Sequence, residues 1–189
     1  MRKTGGVPTL VEPTVAVHRS FLLAWDEFEP EVQSRWMGAE TYIGGETERW
    51  DREQLAEPAE FERFVAETRG SADPDAVLAD GIVPYTSLWL VDGDEWLGRL
   101  SLRHELTPPL LELGGHIGYC VRPSARRRGY ATQMLVQSLP VAARLGIDPA
   151  LLTCDADNDA SRRVIQAAGG EFEDERHGKL RFWVATHTS

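Results

Sequence analysis

Lysine is almost missing from this chain: only two of its 20 basic residues are lysines, set against 30 acidic residues and a formal net charge of −10. That acidic balance argues against nucleic acid and anionic membranes as general partners, since both repel it. Long apolar runs are missing too, and no stretch approaches the ~20 residues that cross a bilayer as a helix. The opening "MRKTGGVPTLVEP" is basic but has no apolar core of a secretory signal. Cysteine is scarce. Cys120 and Cys154 lie far apart, in apolar runs and in no CxxC spacing, so they read as reduced, packed thiols of a cytoplasmic protein, neighbours only if their strands are. Also lacking are GxxxxGK[ST], a GxGxxG after a strand, GxSxG and HExxH. Their absence argues against nucleotide-phosphate loops, a serine hydrolase elbow and a zinc protease. His104-Glu105 with His116 has no further ligand cluster to support a metal site, so no metal is expected. No repeat, low-complexity tract or linker divides the 189 residues, and the expectation is one domain over 1–189.

What is present is a change of hydrophobic period along the chain. After a strand-like "TLVEP", Val17, Phe21, Ala24, Trp25 and Phe28 form one helical face over residues 15–29. Residues 38–53 are polar and aperiodic and read as a loop, whereas Pro58 opens a helix that Gly70 stops. Then the period becomes two. "YTSLWLVDGDEWLGRLSLRH" predicts a hairpin around Asp92-Gly93, with Trp96, Leu100, Leu102 and His104 on one face of its second strand. "GGHIGYCV" is a third strand, in which Gly118 predicts a bulge or a close ligand approach. Residues 129–145 return to helical spacing, with a kink or break expected at Pro140. "ALLTCDA" reads as a buried strand, Asn158 as the cap of a helix burying Ala160, Val164, Ala167 and Ala168, and "KLRFWVAT" as a last strand. The order predicts a mixed α/β sandwich, not a doubly wound dinucleotide fold.

Against the acidic background, "VRPSARRRGYATQML" gathers four arginines between a strand and a helix. The first amides of a helix lack intrahelical partners, and its dipole adds about half a positive charge there. Gly129 lets a diphosphate reach the backbone, Ala131 leaves the first turn uncrowded, and Arg126, Arg127 and Arg128 supply guanidinium charge. A solvated basic loop over a sheet edge has the same composition.

Arg126-x-x-Gly129-x-Ala131 resembles the [Q/R]-x-x-G-x-[G/A] signature of the GNAT N-acetyltransferases, and about 30 residues later Asn158-x-x-Ser161 with Gly169 resembles that family's second motif. The string "RHEL…GGHIGYCVRPSARRRGYATQML…TCDADNDASRRVIQAAGG", residues 103–170, is similar to a branch of bacterial predicted acetyltransferases. The resemblance implies an α+β fold: a mixed, mostly antiparallel sheet with helices on both faces and a V-shaped splay between two central strands. It further implies acetyl-CoA as co-substrate in the gap between the strand ending at Val121 and strand 150–155. Pantetheine would pair with backbone near Tyr119 and Val121. The diphosphate would sit on amides of Arg126, Arg127, Arg128, Gly129, Tyr130, Ala131 and Thr132. Asn158 and Ser161 would reach the cofactor from the next helix, although Asn158 is also a good N-cap and Ser161 an ordinary first-turn residue.

Direct acetyl transfer needs a neutral amine, donors for the oxyanion, and protonation of the thiolate. Amines with pKa near 10 are mostly protonated at neutral pH, so a base or water chain is required. Many family members carry an acid just before an "IGY"-like stretch; here that position is His116, and since an ordinary histidine titrates near the working pH it could take the proton directly. Glu105 and His104, at the exit of the preceding strand, and Asp155, at the end of its own, are the other candidates. The family's tyrosine acid, seven residues after the asparagine, is replaced by Ile165, which leaves the acid unassigned and motivates an alternative, a non-catalytic acyl-CoA-binding or sensing domain. The acceptor, a small-molecule or peptide amine, falls to the variable half. There Glu40, Glu46, Glu48 and Asp51, with Tyr42 and Trp50, would suit a cation. The sequence leaves a homodimer open.

Overall fold

The computed structural model describes residues 6–29 and 33–187; the basic opening, residues 1–5, lies outside that description. Strand β1 (Thr9–Val11) leads through a 3-10 turn at Val15–Val17 into α1 (His18–Trp25). The predicted face is the one that packs: Val17, Phe21, Ala24, Trp25 and Phe28 are all buried. Short α2 (Gln33–Met37) follows, then a small hairpin, β2 (Glu40–Thr41) and β3 (Glu48–Arg49), where the aperiodic sequence predicted a loop. Two-residue strands are too short for any period to show. Asp51 and Gln54 form a capping box on α3 (Arg52–Ala56), and α4 (Pro58–Gly70) starts with its proline at the first position, where the missing N–H costs nothing.

The hairpin forms as β4 (Tyr85–Asp92) and β5 (Glu95–Arg103). Its second strand departs from the predicted face. Val91 pairs with Trp96 but Leu90 with Gly98, so a bulge at Leu97 turns Trp96 to the side opposite Leu100 and Leu102. Trp96 joins Phe21, Phe61, Phe64 and Trp89 under α1 and α4, with Phe21 stacked 5.2 Å from Trp89. Leu97, Leu100 and Leu102 join the other core instead.

Strand β6 (Ile117–Val121), α5 (Tyr130–Arg144), β7 (Ala150–Asp155), α6 (Asp159–Ala167), β8 (Glu171–Arg176) and β9 (Lys179–Val184) complete the chain. Gly118 pairs in register with Ser101, without the predicted bulge. Helix α5 continues through Pro140: the proline and Val136, whose carbonyl loses its partner, are both solvent-exposed, so water can replace the missing bond. On α6 the inward stripe is Ser161, Val164, Ile165 and Ala168, with Ile165 fully buried, whereas Ala160 and Ala167 are exposed. Acidic β8, "EFEDER", carries no apolar alternation because it is an exposed edge strand.

The seven-stranded sheet runs β1-β4-β5-β6-β7-β9-β8, antiparallel throughout except at β6/β7. One core lies between the sheet and α5/α6, the other between the sheet and α1–α4. Among the described residues, no helix is long and apolar enough to cross a membrane.

Candidate active site

The parallel pair is where the sheet opens. Strands β6 and β7 share a single register pair, Ile117 with Leu152. One residue earlier His116 bridges them twice: its N–H donates to the Leu151 carbonyl (2.7 Å), and its Nδ1 accepts the Leu151 N–H (2.9 Å). Beyond Ile117 the strands diverge. The Arg103 N–H donates to the His116 carbonyl (2.8 Å), so even-numbered residues of β6 turn their backbone toward β5. By alternation, backbone groups of Tyr119 and Val121 face the gap. The Tyr119 side chain lies on the α6 side, its hydroxyl 2.6 Å from Ser161 Oγ. Burial pushes that phenol up to about 12, against a smaller downward pull from the Ser161 hydrogen bond.

The gap leads to the start of α5. The Gln133 N–H makes the helix's first bond, to the Gly129 carbonyl at 3.0 Å, and the Tyr130, Ala131 and Thr132 amides have no protein partner among the described residues. Gly129, φ 81°, has no side-chain cap, and an added Cβ would meet nothing within 4 Å. Arg127 also holds a left-handed φ, 63°, at a cost of about 1–2 kcal/mol for a residue with a Cβ. The four arginines have separate tasks. Buried Arg122 grips Glu27 at 2.6 Å, and the other Glu27 oxygen accepts the Ser124 N–H at 2.9 Å, which ties the loop to α1. Arg126, Arg127 and Arg128 are exposed around the uncapped turn; Arg126 Nε donates to the Val121 carbonyl (3.2 Å) and Arg128 Nη2 to that of Ser124 (3.1 Å).

The opposite face of β5 carries Arg99, Ser101 and Arg103, which line a cavity of about 280 Å³ with Arg35, Glu40, Tyr42, Tyr85 and Ser87. Ser101 pairs with Gly118, the residue just past the point of divergence, and its Oγ would stand 3.8 Å from a Cβ there, so the Ser101 side of the cavity borders β6 where that strand has no side chain. Burial, reinforced by the Arg103 charge, pulls His116 down to about 4. Its ring is therefore neutral at physiological pH, with Nδ1 occupied as an acceptor.

The sequence matches the family model for the GNAT acetyltransferase domain over residues 25–171. The chain belongs to the GNAT acetyltransferase family. The GNAT fold agrees with solved structures at low identity. Mycobacterium smegmatis RimJ, in complex with a CoA-disulfide, has a TM-score of 0.60 at 17% identity, over 95% of this chain and 82% of that one. The microcin C7 self-immunity acetyltransferase MccE, in complex with acetyl-CoA and AMP, has 0.58 at 11% identity, over 94% and 92%. A putative GNAT-family acetyltransferase from Bordetella pertussis has 0.60 at 14%, over 98% of each chain. A sequence search of curated proteins finds no significant match.

Of the residues that GNAT resemblance singled out, the fold brings Tyr119, Val121, Arg126 to Thr132 and Ser161 to one gap and its outlet. Asn158 caps α6, its Oδ1 accepting the Ser161 N–H at 3.0 Å. Asp155 is exposed and ion-paired with Lys179. His104 shares a hydrogen bond with Thr86 (2.8 Å) and, like exposed Glu105, sits past the end of β5 toward the closed end of the gap. Cys120 and Cys154 occupy opposite faces: the Cys120 thiol donates to the Trp36 carbonyl, and Cys154 packs in the core of α5 and α6. The acidic loop is largely satisfied internally. Glu48 meets Arg63 at 2.6 Å, Asp51 caps α3, and Trp50 is buried. Sequence reasoning passed over the β5 arginines. The available signal is the alternation R-L-S-L-R over 99–103, which puts both arginines on the face opposite the leucines.

Proposed function

We propose that this GNAT protein transfers acetyl from acetyl-CoA directly to a primary amine, the whole chain acting as one domain. The observation that carries the reading is the continuity of the β6/β7 gap with the uncapped α5 turn: backbone for pantetheine, then free amides and three exposed arginines for a diphosphate. RimJ and MccE, solved with CoA and acetyl-CoA, support the same co-substrate.

In the reaction, the amine nitrogen attacks the thioester carbonyl, and a C–N bond forms as the C–S bond breaks. The Tyr119 N–H, facing the gap, donates to the developing oxyanion. The amine proton passes to Glu40, the carboxylate that lines the cavity, which holds hydrogen bonds from Tyr42 (2.8 Å) and Arg49 (3.2 Å). His116, poorly basic and already bonded, serves as the clamp at the apex of the gap. The departing thiolate takes its proton from the Tyr119–Ser161 hydroxyl pair, which regains one from solvent as Glu40 gives up the amine proton to solvent. That pair fills the role left vacant at Ile165, and it favours turnover over mere acyl-CoA binding. Free thiols at Cys120 and Cys154 suit a reducing, cytoplasmic setting.

The experiment is release of free CoA thiol from acetyl-CoA across a panel of amines, for wild type, Tyr119→Phe, Ser161→Ala and the double variant. Each single change should lower kcat about 10²-fold, the double little further, while CoA affinity holds. Full activity in the double variant would remove the hydroxyl pair from the chemistry. CoA that fails to bind would remove the function.

A further inference from the structure

We infer that the acceptor carries an anionic group, a carboxylate or a phosphate, which Arg99 and Arg103 hold in the cavity beside Ser101. The inference rests on the acetyl-transfer reading and narrows its substrate class. The two guanidiniums are positioned by neutral carbonyls. Arg99 donates Nε to the Trp36 carbonyl and Nη2 to that of Arg35, both at 2.9 Å. Arg103 donates Nη1 to the Gly115 carbonyl at 3.1 Å. Among the described residues neither meets a carboxylate, although this chain has 30 acids to 20 bases and its other partly buried arginines take them. Arg122 grips Glu27 at 2.6 Å, and Arg181 grips Glu173 and Asp174 at 2.9 Å each. The one carboxylate of the cavity lining, Glu40, is bonded to Tyr42 and Arg49 instead.

The placement is built. Gly38 packs so closely on Arg99 that a Cβ there would stand 2.6 Å from the guanidinium carbon. Arg103 is held less basic than usual by burial first and by the Arg99 charge second, so the two charges act on a common, poorly solvated space. Such a space favours an anion that can accept from planar guanidinium N–H groups. The cavity's 280 Å³ is below the ~300–1,000 Å³ of sites for drug-sized ligands, so it takes a small acidic group. Each arginine lies one two-residue repeat, about 7 Å of strand, from Ser101. Since Ser101 faces Gly118 at the divergence, an acceptor seated by its acid would present an amine a few bonds away to the gap. This charge is opposite to the cation preference that the acidic loop alone suggested.

The test uses the full chain saturated with CoA and calorimetric titration with two probes, succinate and inorganic phosphate, against chloride at equal ionic strength. At least one probe should bind, and Arg99→Gln or Arg103→Gln should weaken it about tenfold or more, with Arg103→Lys weakened less. The preferred probe identifies the acid as carboxylate or phosphate. In thiol release, glycine should surpass glycinamide, or O-phosphoethanolamine surpass ethanolamine, by about tenfold or more in kcat/KM. Failure of both probes to bind folded wild type overturns the inference, as does equal use of charged and uncharged members of both pairs. Loss of CoA binding overturns the acetyl-transfer reading instead, and the probe titrations without CoA still decide the cavity.

Discussion

Helix α5 is bounded by two glycines in the same unusual conformation, Gly129 at φ 81° and Gly146 at φ 77°, and a Cβ at either meets no heavy atom within 4 Å. Gly129→Ala and Gly146→Ala therefore impose a matched perturbation. Each adds the strain of a left-handed residue bearing a Cβ, about 1–2 kcal/mol, and no clash. In a domain of this size that corresponds to a loss of roughly 2–8 °C in Tm for both variants. The 15 residues of α5 keep the two sites about 22 Å apart. Only the methyl at Gly129 stands beside the unpartnered amides of Tyr130, Ala131 and Thr132. If it holds the diphosphate away from one of them, a charge-assisted hydrogen bond worth about 1.5–3 kcal/mol is lost. CoA affinity should then fall about 10- to 100-fold in Gly129→Ala and stay at the wild-type value in Gly146→Ala. Scanning fluorimetry checks the matched cost, and calorimetric titration with CoA reads the affinity. Equal CoA affinity in both variants refutes the assignment of the diphosphate to this turn. Equal loss in both refutes it as well, because helix strain rather than close approach would then be responsible.

The clamp at the apex should show in stability against pH. His116 titrates near 4 in the fold against an ordinary 6.5, so between those values the unfolded chain binds the additional proton. Its contribution is complete above about pH 6.5 and is lost toward pH 4, by at most about 3 kcal/mol. His116→Gln keeps an acceptor for the Leu151 N–H and should flatten that acid limb of Tm; an unaltered limb would deny His116 the role. Glu27 braces the arginine loop before α5 through Arg122 and Ser124. Glu27→Gln should cost about 1–3 kcal/mol in urea unfolding and weaken CoA binding, whereas normal CoA affinity would show that the loop holds its shape unaided. Burial pushes the Glu27 carboxyl up, but the bonds from Arg122 and Ser124 outweigh it and leave the pKa below its ordinary 4.5. The support from Glu27 should thus persist above that pH and fade below it, as a Tm series from pH 6 to 3 would reveal.

Much of the architecture is local in origin and could be read from spacing. The face of α1, the hairpin, the proline start of α4, the Asn158 cap and the strand-to-helix arginine loop each depend on neighbours within a few residues. Where the reading failed, a distant partner had decided the matter. A bulge against β4 turned Trp96 to the other core, packing of Ile165 into the sheet core set which face of α6 is buried and so brought Ser161 to Tyr119, and an edge position let the acidic segment 171–176 become a strand. The acceptor side was legible least. Charge in the loop 38–53 pointed to a cation, but Arg49 of β3 holds Glu40, Arg63 of α4 holds Glu48 and the Gln54 N–H of α3 holds Asp51, and β5 presents unneutralised arginines instead.

By itself the sequence determined the elements, the family motifs and the turn with positive charge that would face a phosphate, because periodicity, capping and backbone freedom are properties of short segments. Tertiary structure alone decided where β6 and β7 part, which hydroxyls meet across the gap, that His116 is a bonded clamp, and which charges remain without a partner. Those are matters of register and burial between residues far apart in the chain, and no local pattern encodes them.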